Sequence, residues 1–161
     1  MWGKVVKNLH AHRVKTSTRP NCHPKTSHMF IGEYQHNLDP KGRLAIPAKF
    51  RASLQKGAVI TKGLDGCLVL YPQAEWKKLA LKLSSLPINK AHTRAFARLM
   101  LAGAWEVEFD RQGRIIIPEY LRSYAKMKKQ TIVVGLFNRL ELWDDTSWNK
   151  YKRGTEKESV S

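Results

Sequence analysis

The chain has 161 residues, room for one compact domain or two small ones but not for a large enzyme with a deep cleft. Its 29 Lys and Arg against 13 Asp and Glu give a formal net charge of +16, which favours a polyanionic partner, chiefly nucleic acid. No apolar run approaches the ~18 residues of a membrane span, and two cysteines, Cys22 and Cys67, argue against a disulfide framework and for a reducing cytoplasm.

Residues 1–28 differ from the rest. They carry six basic residues, no acidic ones, four His and two Pro, and show no apolar periodicity. Such a stretch lacks the apolar surface needed to offset chain entropy and reads as a disordered basic extension. It has no apolar segment followed by a small-residue cleavage site, so secretion is not expected. His10, His12, Cys22 and His23 fall in this stretch with a spacing that matches no zinc finger, and they read as solvated tail residues. Residues 29–161 hold 23 basic and 13 acidic groups, so they are basic without the extension.

From Met29 onward the chain repeats itself. Residues 39–51 (DPKGRLAIPAKFR) match residues 110–122 (DRQGRIIIPEYLR) at an offset of 71. The identical pairs are Asp39/Asp110, Gly42/Gly113, Arg43/Arg114, Ile46/Ile117, Pro47/Pro118 and Arg51/Arg122. The offset then becomes 72, aligning Gly63/Gly135, Leu68/Leu140, Leu70/Leu142 and Trp76/Trp148. The chain is two copies of one small unit.

Each copy opens on a strand with alternating apolar residues: Phe30, Tyr34 and Leu38 in the first, Trp105, Val107 and Phe109 in the second. Asp-x-x-Gly then suits a type I turn that closes a three-residue hairpin loop, with the glycine left-handed. The return strands are 43–46 and 114–117. Pro47 and Pro118 end them and start short amphipathic helices, about 48–54 and 119–125. Second hairpins follow, 58–61 with 68–71 and 131–134 with 140–143. Two helices, 73–84 and 90–102, join the copies. Trp76, Leu79, Ala80 and Leu83 share a face of the first, and Phe96, Leu99 and Met100 a face of the second, a stripe suited to core packing. After Trp148 the chain is polar and is expected to fray. The resulting division is a basic extension at 1–28, domains at 33–75 and 104–147, a helical linker at 76–103 and a polar tail at 149–161.

No catalytic constellation emerges: there is no nucleophile elbow, P-loop or dinucleotide fingerprint. His36 and His92 are isolated, and Glu106 and Glu108 lack an acid–base partner. No enzymatic activity, cofactor, metal or small-molecule substrate is expected. The informative feature is Asp-x-x-x-Arg at the mouth of both first hairpins. A three-residue loop sets Asp39 opposite Arg43 and Asp110 opposite Arg114, while Gly42 and Gly113 allow the turn. Such a pair can simply pin a turn at the surface. With Lys41 and Arg111 beside it, an oriented guanidinium can also dock on phosphate or on guanine in the major groove. The recurrence of the same basic tip favours DNA.

These residues, together with Met29-Phe-Ile-Gly-Glu-Tyr and the segment from Cys67 to Trp76, give the stretch from Met29 to about Trp148 a close resemblance to the MraZ family. The resemblance implies a mainly β fold with short helices (α+β): a duplicated AbrB-like swapped-hairpin barrel, two SpoVT-AbrB copies per chain joined by the helical linker. It implies a cytoplasmic, nucleoid-associated regulator of transcription that forms a homo-oligomeric ring. Its target would be double-stranded DNA, at direct repeats in the promoter of the cell-division and cell-wall gene cluster that includes its own gene. Arg43 and Arg114 occupy the family's DNA-contacting arginine positions. The family usually begins at the position of Met29, so Met29 is the expected start, and the short tail suggests that a C-terminal helix seen in relatives is missing. The alternative reading is an antitoxin-like module that grips a protein partner through a disordered tail. A membrane-surface binder fits less well, since no helix joins a basic face to a strong apolar one.

Overall fold

A computed structural model describes residues 29–87 and 89–159. The basic extension, with His10, His12, Cys22 and His23, lies outside the described residues. The first copy contributes β1 (Phe30–Asn37), β2 (Arg43–Ala45), α1 (Ala48–Leu54), β3 (Ala58–Lys62) and β4 (Leu68–Pro72). The joining helices are α2 (Gln73–Ser84) and α3 (Ala91–Ala102). The second copy contributes β5 (Trp105–Val107), β6 (Arg114–Ile116), α4 (Glu119–Tyr124), β7 (Gln130–Phe137), β8 (Arg139–Asp144) and α5 (Asp145–Ser159).

The two copies interleave. A six-stranded antiparallel sheet runs β1-β7-β8-β4-β3-β5, and a two-stranded sheet pairs β2 with β6. The first strand of each copy therefore pairs with the second hairpin of the other: β1 on β7 over eight residues, β5 on β3 over three. Single bridges, Leu38 to Leu44 and Phe109 to Ile115, tie the small sheet to both edges of the large one. This is the swapped-hairpin arrangement expected from the resemblance. Its register shows the duplication, since Leu44 faces Ile115 in β2–β6, and Leu68 and Leu70 face Leu142 and Leu140 across β4–β8.

The interior is filled by inward residues of both copies, among them Leu44, Ile46, Phe50, Leu54, Ile60, Leu68, Leu70 and their counterparts Ile115, Ile117, Leu121, Leu140 and Leu142. Both copies contribute to this one core. A second, smaller cluster (Cys67, Val69, Ile132, Val134, Trp143) lies outside it, with Tyr71 and Trp148 packed against it. In the joining helices Leu83 and Met100 are buried, whereas Trp76, Leu79, Phe96 and Leu99 are only half-buried. Trp105, expected on an inward face, is instead about half exposed, because β5 is a three-residue edge strand. No helix among the described residues is long and apolar enough to cross a membrane.

Through Ser159 the tail, expected to fray, is helical as α5. Asp144 caps it, its Oδ2 accepting the Thr146 amide at 3.1 Å. Trp148 and Tyr151 pack against Trp143 with tilted rings, centroids 5.4 and 5.1 Å away, and Lys152 pairs with Glu33 of β1 at 3.0 Å. The chain is polar overall here, yet one helical face carries enough aromatic surface to hold it down. The Trp76/Trp148 match was the signal, since it makes α5 the counterpart of α2.

Candidate nucleic-acid interface

Both first-hairpin turns adopt the geometry that their sequence demands. The Gly42 amide donates to the Asp39 carbonyl at 2.9 Å and the Asp39 amide to the Arg43 carbonyl at 3.0 Å. Gly113, Asp110 and Arg114 repeat this at 3.0 and 2.9 Å. The glycines sit at φ +77° and +74°, a region open to glycine at no steric cost.

Each aspartate then organises its own turn. Asp39 Oδ1 accepts the Lys41 and Arg43 amides at 2.9 and 2.8 Å, and its Oδ2 accepts Arg43 Nε at 2.6 Å. Asp110 Oδ1 accepts the Gln112 and Arg114 amides at 2.9 and 3.0 Å, and its Oδ2 accepts Arg114 Nε at 2.8 Å. Donation from the arginine amides, reinforced by the guanidinium and a second turn amide, holds both carboxyls below the usual carboxylate range against the opposing effect of desolvation. Both carboxylates therefore stay ionised at neutral pH. With Nε engaged, each guanidinium has a fixed direction, and both side chains remain partly exposed.

The swap brings the turns together. The Ile46 amide donates to the Gly113 carbonyl at 3.1 Å, and the Ile117 amide to the Gly42 carbonyl at 2.8 Å. Each turn is thus clamped by the return strand of the other copy. Arg114 Nη1 comes within 4.0 Å of Asp39 Oδ2, so one carboxylate stands between both guanidiniums. Lys41 and Arg111 are exposed on their respective turns. The eight residues singled out in the sequence (Asp39, Lys41, Gly42, Arg43, Asp110, Arg111, Gly113 and Arg114) all fall on these two clamped turns.

Two further residues shape the surface. A side chain at Gly113 would strike the Arg51 guanidinium, and one at Gly42 would meet that of Arg122 at 2.9 Å. Each arginine therefore lies across the turn of the other copy. Arg51 Nε donates to the Ile46 carbonyl at 2.8 Å. Their identity at the repeat offset was visible in the sequence; their reach across the swap was not. Nearby His36 titrates below its ordinary value, through burial first and the charge of Arg51 second. The arrangement is a cationic surface with oriented guanidiniums, a chemistry that can bind a polyanion.

A family model described as "MraZ protein, putative antitoxin-like" matches the chain twice, over residues 29–99 and 100–161. Among curated proteins, the transcriptional regulator MraZ of Halothermothrix orenii is 52% identical over 128 residues, covering 80% of this chain and 90% of its own. Those of Desulforamulus reducens and Pediococcus pentosaceus are 51% identical over 128 residues, with the same coverage.

Proposed function

Since this chain belongs to the MraZ family, we propose that it is a sequence-specific DNA-binding regulator of transcription that works on the chromosome in the cytoplasm. Its targets are direct repeats in the promoter of the cell-division and cell-wall gene cluster that includes its own gene. The domains at 33–75 and 104–147 supply one Asp-x-x-x-Arg tip each, and Arg43 and Arg114, flanked by Lys41 and Arg111, make the contacts. The observation that carries this reading is the doubled tip: two turns, each with an aspartate-oriented arginine, each held by the other copy's return strand through the Gly42 or Gly113 carbonyl.

One such surface makes few contacts, so affinity has to come from repetition. A ring of chains meeting evenly spaced repeats raises the effective concentration of every later contact. What supports a ring is the placement of exposed apolar side chains on separate parts of the molecule. Met29, Ile31 and Phe137 stand at the outer end of the β1–β7 ladder, and Trp105, Ile116 and Tyr120 around β5, β6 and α4. Two dissimilar patches on one chain favour head-to-tail association, which closes into rings when the rotation permits. An antitoxin-like role gains less support, because the tail through Ser159 is a helix capped by Asp144 and anchored on Trp143.

Sequencing the DNA recovered with the protein from its host tests the proposal. Enrichment of short direct repeats upstream of division and cell-wall genes is the expected result. Recovery of DNA without a common repeat would overturn it.

A further inference from the structure

We infer that the loop 125–129, between α4 and β7, is a second DNA-backbone contact, a lysine shoulder that the first tip has and the second lacks. This rests on the DNA-binding reading above.

The two copies differ in chemistry at this connection. In the first, three residues join α1 to β3, Gln55, Lys56 and Gly57, with one lysine. In the second, five residues join α4 to β7, and three are Lys126, Lys128 and Lys129. Because the hairpins are swapped, this longer loop lies beside the Asp39 turn of the first copy. The Leu38 amide donates to the Lys129 carbonyl at 2.8 Å. Leu38, Asp39, Pro40, Arg122, Met127, Lys128 and Lys129 line one open cleft there.

The loop backbone is fastened on three sides. The Met127 amide donates to the Arg122 carbonyl at 2.9 Å, the Lys128 amide to Asp144 Oδ1 at 3.1 Å, and the Lys129 carbonyl accepts Leu38. The three ammonium groups are treated differently. All three lysines are exposed, and none has a carboxylate partner among the described residues. A fixed backbone presenting unneutralised charge beside an oriented arginine leaves only the lysine side chains to order when an anion binds.

Arg122 gives an independent sign of asymmetry. Its counterpart Arg51 donates Nε to the Ile46 carbonyl, whereas Arg122 Nε is buried with no hydrogen-bond partner among the described residues. The cleft wall thus sets a guanidinium, its Nε shut away from solvent, behind two exposed lysines whose ammonium groups are the donors open to a ligand. A phosphodiester oxygen is the ligand this chemistry fits, since it accepts from ammonium and guanidinium groups alike without regard to base sequence.

The test is the salt dependence of binding to a mixed-sequence DNA duplex, using the full chain and the K128Q/K129Q variant. Both lysines are exposed, so the variant should keep the melting curve of the unaltered chain. The slope of log affinity against log salt should flatten by about 0.9 for each phosphate no longer neutralised, or about 1.8 for two. K56Q, the matched change in the first copy, should leave the slope where it was. An unchanged slope in K128Q/K129Q, with steep salt dependence in the parent, would overturn the shoulder alone. Equal flattening in K56Q would overturn the asymmetry. If the parent binds no duplex at all, the DNA-binding reading falls, and the shoulder falls with it.

Discussion

Leu44 and Ile115 face each other across the β2–β6 ladder, and each is the other's counterpart at the 71-residue offset. A residue paired with its own copy marks a local twofold axis. The β4–β8 ladder carries a second mark: Leu68 faces Leu142 and Leu70 faces Leu140, so the pairs exchange about Val69 and Glu141. One chain has thus folded as two subunits of a dimer would, with the two basic tips related by that axis.

The tips are where function is expected to be lost without the fold. In the R43A/R114A double variant, the turn amides can still bond to Asp39 and Asp110, so melting should stay close to that of the parent. DNA binding should fall steeply, because every chain in an assembly is deprived of both arginines at once. If the guanidiniums meet guanine, discrimination between operator and mutated repeats should shrink by about 1–3 kcal/mol per arginine. If they meet phosphate, the loss should be uniform across sequences. Titrating operator and scrambled duplexes at several salt concentrations decides. Parental affinity in the folded double variant would place the DNA on another surface.

The exchange of hairpins has a consequence for half-molecules. In residues 29–99 alone, β1 loses its partner β7, and β2 loses β6. Such a fragment should be unfolded or should dimerise to rebuild the missing ladders. Circular dichroism with light scattering would show this, and a folded monomeric half would refute it.

The turn glycines should be costly to replace, and unequally so. At Gly66, φ is +78° and nothing lies near an added methyl, so G66A should lose only the left-handed strain of about 1–2 kcal/mol. G42A carries the same strain and also brings a methyl to 3.0 Å from the Ile117 carbonyl and 2.9 Å from Arg122, so its loss should be larger. The three atoms nearest a methyl in G113A all belong to the movable Arg51 side chain, so R51A should recover part of its deficit. Urea unfolding of the set measures the differences.

The depressed carboxyls of Asp39 and Asp110 set a sign for pH dependence. A group whose pKa is lower folded than unfolded contributes stability that is full above its ordinary value, here 3.8. That contribution is lost as the pH falls through the folded value. The turns should therefore be indifferent to pH around neutrality and loosen only in strong acid. Carboxyl shifts followed by NMR should titrate below 3.8 at both residues. A midpoint above it at either would show that its arginine contacts do not persist in solution.

Much of this molecule is legible in its sequence, because the informative interactions are local. Asp39 to Arg43 and Asp110 to Arg114 satisfy their hydrogen bonds within five residues, so turn, glycine and arginine position follow from composition and spacing. Alternation and the bounding prolines located α1 and α4 for the same reason. The partner of each hairpin was a different matter. Alternation tells which face of β1 is apolar but not which strand it meets, and β7 was chosen because only the combined core of both copies closes. That same closure laid Arg51 and Arg122 over each other's turns and carried Lys128 and Lys129 to the first tip. It also turned a polar tail into α5, whose stability lies in contacts with Trp143 and Glu33 rather than in its own residues.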